Sequence, residues 1–136
     1  MLNALIVEDD AEVAAILRDL VEIDGRLRVV AIADDAASSA LAVTEHRIDC
    51  ALVDIQLAHQ SSGYGIACDL TRHGIVCLFV TGHAPPFPIP EFALGCISKP
   101  WSVNAVSHAL DAIVAARGGG EGPSAPATGS SGFQRY

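Results

Sequence analysis

Five short apolar runs, each stopping abruptly at polar residues, limit this chain to few folds. Ala4-Leu5-Ile6-Val7 stops at Glu8-Asp9-Asp10, and Arg28–Ala33 at Asp34-Asp35. Cys50-Ala51-Leu52-Val53 stops at Asp54, Ile75–Val80 at Thr81-Gly82, and Gly95–Ser98 at Lys99-Pro100. Unbroken runs of this length predict strands buried on both faces, not strands with one wet face. Between them, apolar residues recur at helical spacing. Val13, Ile16, Leu17, Leu20 and Val21 form one stripe, with Asp10 as N-cap and Gly25 as its stop. Ala36–His46 is a second helix, capped by Asp34 or Asp35, and Tyr64–His73 a third, with Ile66 and Leu70 inward. Val103, Val106, Leu110, Ile113 and Val114 mark the last, closed by Gly118. Strands alternating with helices predict an α/β fold, a doubly wound five-stranded parallel sheet covered on both faces.

Two segments break the alternation. Ala84-Pro85-Pro86-Phe87-Pro88-Ile89-Pro90 carries four prolines, whose spacing forbids a regular helix. At most one turn fits at Glu91–Leu94, so the fourth helix is expected to be short, displaced or absent. From Gly118 the chain reads GGGEGPSAPATGSSGFQRY. A stretch of that composition buries too little apolar surface to offset its ordering entropy. The expected organisation is one domain over 1–117 and a disordered Gly/Ser/Pro-rich tail over 118–136.

Composition narrows the function classes. The 136 residues suffice for one domain, and 51% hydrophobic content excludes disorder of the whole. Sixteen acidic against eight basic residues give a net charge of −8, which disfavours nucleic acid as a direct partner. Glu121 and Arg135 cancel, so the acidity belongs to 1–117. The four cysteines, Cys50, Cys68, Cys77 and Cys96, contain no Cys-x-x-Cys pair. That argues against zinc or a redox motif and fits buried thiols in a reducing compartment. There is no secretory leader pattern, and no apolar run approaches the ~18 residues of a membrane span. A soluble, cytoplasmic protein is expected.

In a parallel sheet of this kind, ligands bind outside the carboxyl ends of the strands. Glu8, Asp9, Asp54, Thr81 and Lys99, the single lysine, all fall at those ends. Several carboxylates at one site repel unless a cation or proton compensates. These are hard oxygen donors suited to Mg²⁺. A metal, a lysine, a hydroxyl and a carboxylate nucleophile are together what transfer of a phosphoryl group onto an acid requires.

Four segments carry a resemblance: Leu5-Ile6-Val7-Glu8-Asp9-Asp10, Asp49-Cys50-Ala51-Leu52-Val53-Asp54, Val80-Thr81-Gly82 and Lys99-Pro100. In this order, each ending an expected strand, they resemble the receiver domain of two-component response regulators, the CheY-like family, over 1–117. The resemblance implies a flavodoxin-like (βα)5 fold with Asp54 as phosphoacceptor. It implies Mg²⁺ held by Asp9 directly, by Glu8 through a water, and by Asp54 and the Gln56 backbone carbonyl. Thr81 matches the switch hydroxyl and Lys99 the lysine that pairs with the phosphoryl group. Gln56 and His83, two past Asp54 and two past Thr81, match positions flanking the path of the hydrolytic water and are expected to set the phosphoryl lifetime.

The departures matter as well. Cys96 stands three residues before Lys99, where the family often has an aromatic, which removes the usual coupling of that aromatic to Thr81. The interval from Thr81 to Lys99 is shorter than usual. Phe79-Val80-Thr81-Gly82-His83 resembles the single-domain subgroup with a Phe-Ala-Thr-Gly-x-Tyr (FATGUY) signature, although Ala84 replaces its Tyr. That subgroup implies a histidine kinase of HWE or HisKA2 type as partner, or a phosphotransfer protein.

The expectation is a stand-alone receiver and not an enzyme, since it would catalyse only its own phosphorylation and dephosphorylation. Its output is a downstream protein target or phosphate-sink action. The face around the proline segment, Cys96 and the last helix is where a partner is expected to read it. A phosphorylation-independent pseudo-receiver is the alternative. An aspartyl phosphatase ranks lower, because Gln56 stands where a second acid is needed. A flavin site ranks lower still, for want of a phosphate loop after the first strand.

Overall fold

The computed structural model describes residues 1–57, 62–82, 89–98, 101–118 and 133–136. β1 (Leu2–Val7) is fully buried from Ala4 onward, as an unbroken apolar run requires inside a sheet. After it come α1 (Ala11–Asp24), β2 (Leu27–Ala33), α2 (Ala36–Glu45), β3 (Cys50–Asp54) and α3 (Gly63–Arg72). The remaining described elements are β4 (Val76–Thr81), β5 (Gly95–Ser98), α4 (Val103–Ala116) and β6 (Phe133–Arg135).

Local chemistry sets the element ends. The Asp10 carboxylate accepts the N–H groups of Glu12 and Val13, at 3.0 and 3.3 Å, and starts α1. Gly25, at φ 87°, ends it in the left-handed conformation that costs glycine little. Of the two acids before α2, Asp35 is the cap. Its side chain accepts the Ser38 N–H at 2.7 Å, and the Ser38 hydroxyl accepts the Asp35 N–H at 3.1 Å.

The sheet order is β2-β1-β3-β4-β5-β6, and the first five strands are parallel. This is the expected flavodoxin-like arrangement. α1 and α4 cover one face, with Leu17, Val21, Leu110 and Ile113 in the same buried cluster as Ile6, Leu52, Leu78 and Ile97. The other face carries Ile66 and Leu70 of α3 with Val7, Val53, Phe79 and Cys96. Phe79 is fully buried, which stabilises the fold by about 2–3 kcal/mol. At the opposite end of the sheet from the strand termini of interest, Asp49 ties three elements. It accepts the Asn3 N–H at 2.8 Å and the Arg117 guanidinium at 3.1 Å.

Three expectations need correction. Ile16 and Val103 are 55% and 64% exposed. The line α1 buries is Ala14, Leu17 and Val21, so the small Ala14 lies where the sheet is closest. Val103 precedes the buried face of α4, which begins at Ala105. The tail is also not uniformly free. Phe133–Arg135 adds a sixth strand, antiparallel, to β5, and Phe133 is 2% exposed. Its apolar side chains override a composition averaged over 118–136, while residues 119–132 lie outside the described residues.

Among the described residues no helix lies between β4 and β5. Ile89–Leu94 form a turn, closed by the N–H groups of Phe92 and Ala93 donating to the Ile89 carbonyl. Pro85, Pro86 and Pro88 lie outside the described residues.

Candidate functional site

Strand register decides which side chains meet at the carboxyl end of the sheet. Val7 pairs with Val53, so Glu8 and Asp54, each one residue further on, stand level on adjoining strands. Between β1 and β3 the strand order reverses, which opens the crevice that such sheets use for ligands. Among the described residues, Glu8, Asp9 and Asp54 bring one ligand atom each within 4.8 Å of one another. Glu8 and Asp54 are 3% and 4% exposed, and Asp9 is exposed.

Three carboxylates grouped this closely, two of them buried, form a set of like charges that a cation would draw together. The donor set fits Mg²⁺. All three groups are hard oxygen ligands, and opposite ligands of a magnesium octahedron lie about 4.2 Å apart. Closing on such an ion needs little movement.

Asp54 is held by its own loop. The Gln56 N–H donates to its Oδ1 at 3.0 Å. Gln56 pairs with Ser62, and the Gly63 N–H donates to the Ile55 carbonyl at 3.1 Å. A Cβ on Gly63 would lie 2.2 Å from the Asp54 carbonyl oxygen, so α3 begins directly on the peptide after Asp54. The sequence pattern starts this helix at Tyr64, one residue late, and does not show the contact. The signal available was a glycine directly after Ser62, a helix-start residue.

Thr81 ends β4, fully buried, and pairs with Ser98, the last residue of β5. Lys99 follows Ser98 but lies outside the described residues, as does His83. Cys96 pairs with Phe79 and is buried. Burial pushes its thiol up to about 11, with the Tyr136 hydroxyl beside it pulling the other way. Burial likewise pushes Cys50 and Cys77 up to about 12. Protonated thiols are poor nucleophiles and poor metal ligands at neutral pH. Cys68 is partly exposed, which departs from the expectation that the cysteines are buried.

Residues 4–111 match the family described as "Response regulator receiver domain". The chain belongs to the receiver domain family. A CheY-like receiver from Methanospirillum hungatei is 22% identical, with a TM-score of 0.74 over 88% of this chain and 98% of its own. The receiver domain of the Erythrobacter litoralis PhyR response regulator is 25% identical, with a TM-score of 0.72 over 83% and 89%. A PhyR stress response regulator is 31% identical, with a TM-score of 0.70 over 83% of this chain and 45% of its own. No curated protein matches the sequence.

Receivers are the phosphoacceptor domains of response regulators, signalling modules and not enzymes acting on external substrates. In this receiver the acid cluster, the Asp54 loop and Thr81 occupy one end of the sheet. No helix among the described residues is long and apolar enough to cross a membrane.

Proposed function

We propose that this receiver accepts a phosphoryl group on Asp54 from a histidine kinase or phosphotransfer protein. The observation that carries this reading is the buried Asp54 carboxylate, oriented by the Gln56 N–H and set within 4.8 Å of Glu8 and Asp9. An Asp54 oxygen attacks phosphorus, the P–N bond of the donor phosphohistidine breaks, and the imidazole leaves with the electron pair and takes up a proton. The product is an acyl phosphate.

Mg²⁺, held by Glu8, Asp9, Asp54 and the Gln56 carbonyl, would offset the charge that develops on the phosphoryl oxygens. Thr81 donates its hydroxyl to the phosphoryl group and Lys99 pairs with it. Gln56 and His83 control access of the hydrolytic water, and Cys96 leaves the coupling from Thr81 without an aromatic on β5. Phe79-Val80-Thr81-Gly82-His83 favours a kinase of HWE or HisKA2 type. The setting is the cytoplasm, and the output is a protein interaction or drainage of phosphate from that kinase.

Intact mass after incubation with acetyl phosphate and Mg²⁺ tests the reading. The wild type gains about 80 Da, the mass of one phosphoryl group, and Asp54→Ala gains nothing. Absence of an adduct from both acetyl phosphate and a phosphorylated kinase, with no Mg²⁺ affinity, would make the domain a pseudo-receiver.

A further inference from the structure

β6 has no part in phosphoryl chemistry, yet it is fitted closely to its place. It runs antiparallel to β5, with Gly95 opposite Arg135, Cys96 opposite Gln134 and Ile97 opposite Phe133. The Tyr136 N–H donates to the Leu94 carbonyl at 2.8 Å. Phe133 is buried in the cluster of α1 and α4. Tyr136, three residues on, packs on the other face, where its ring meets Phe79 with centroids 6.5 Å apart. At Gly95 a Cβ would lie 2.3 Å from the Gln134 carbonyl oxygen and 2.8 Å from the Phe133 ring. The β5 edge thus offers bare backbone at one position and an apolar slot on each side of the sheet.

We infer that the β5 edge is a strand-accepting interaction surface, closed by the chain's own Phe133–Tyr136. The partner it fits is an extended segment with aromatic residues three apart, which competes with this strap. Strand addition of this kind draws affinity from main-chain hydrogen bonds and specificity from alternate side-chain slots. The chemistry of the competitor is written in the strap itself. It is aromatic at the two anchoring positions and carries Arg135 as its charge, against a domain whose acidic residues outnumber its basic ones.

The strap is short enough to be displaced. Its strand has three residues, and sixteen residues, 117–132, join it to α4. A tether of that length reaches about 50 Å if extended, more than the diameter of a domain this size. An occupant of this edge also rests on Phe79, two residues before Thr81 on the same strand. The inference stands without phosphorylation of Asp54.

Its test is a labelled peptide Gly-Phe-Gln-Arg-Tyr titrated against full-length chains, with fluorescence anisotropy as readout. Phe133→Ala should bind the peptide at least tenfold more tightly than the wild type, because its own strap has lost its anchor. Adding Gly95→Val to Phe133→Ala should abolish binding, because a side chain there obstructs any docked strand. Amide exchange in β1, β3 and β4 establishes that each variant remains folded. Equal binding by wild type and folded Phe133→Ala would overturn the inference. So would a concentration-dependent dimer whose tails dock on the other copy. If Phe133→Ala does not fold, the wild type decides. Excess peptide must accelerate exchange of the Tyr136 amide, and an unchanged rate would overturn the proposal.

Discussion

Gly63 and Asp54 touch through their backbones: a methyl group on Gly63 would fall 2.2 Å from the Asp54 carbonyl oxygen and 2.5 Å from the Ile55 α-carbon. No side-chain rotation relieves such a clash, so Gly63→Ala must shift α3 or the Asp54 loop. The expected cost is about 2 kcal/mol or more, with slower phosphoryl uptake. Gly65, in the same helix, meets nothing within 4 Å. There Gly65→Ala should stabilise by about 0.5–1 kcal/mol through helix propensity. Urea denaturation of the two variants separates a packing glycine from a merely tolerated one.

The grouping of Glu8, Asp9 and Asp54 within 4.8 Å can be tested by removing one charge. Asp54→Asn removes one charge and keeps an oxygen for the Gln56 N–H. In magnesium-free buffer it should stabilise the fold by about 1 kcal/mol, the reverse of the usual mutational effect. Saturating Mg²⁺ should raise the Tm of the wild type more than that of the variant and narrow the gap. A variant less stable than wild type in both buffers would show that the acids do not strain the site.

Alkaline pH should unfold this domain early. Cys50, Cys77 and Cys96 have folded values of about 12, 12 and 11 against an unfolded value of 9.0. Groups raised on folding contribute their full stability below pH 9 and lose it as pH climbs through 11 and 12. At pH 10 the loss is about 1 kcal/mol per thiol. Urea midpoints at pH 8 and pH 10 measure the fall, and Cys50→Ala should reduce it.

The Asp49 latch bears on stability and not on chemistry. Asp49→Ala strands the Asn3 N–H and takes one partner from the Arg117 guanidinium, which keeps the Gly74 carbonyl at 3.1 Å, for an expected loss of about 1–2 kcal/mol. Phosphoryl uptake at the far end of the sheet should continue unchanged below the melting transition. The surface pair Arg72–Asp69, at 3.8 Å, should by contrast be worth under about 0.5 kcal/mol when broken.

The sheet and its acid cluster were legible because a buried parallel strand advertises itself twice, by an unbroken apolar run and by the polar residue that ends it. Val7-Glu8-Asp9 and Val53-Asp54 needed no more than that. β6 was not legible, because three residues cannot show a period and Phe133 lies among glycines and serines. Nor does any local pattern announce that Gly63 touches Asp54 or that Gly95 meets Gln134, since both contacts depend on tertiary approach. Ile16 misled for the opposite reason. It has the right spacing, but Ala14 takes the inward place.

The adjoining strands β3, β4 and β5 each carry one buried thiol, Cys50, Cys77 and Cys96, while Cys68 on α3 is partly exposed. The protein is thereby its own strand-by-strand opening gauge. Under an alkylating pulse Cys68 reacts first, and each later adduct, located by mass, times the parting of one particular strand from its neighbours.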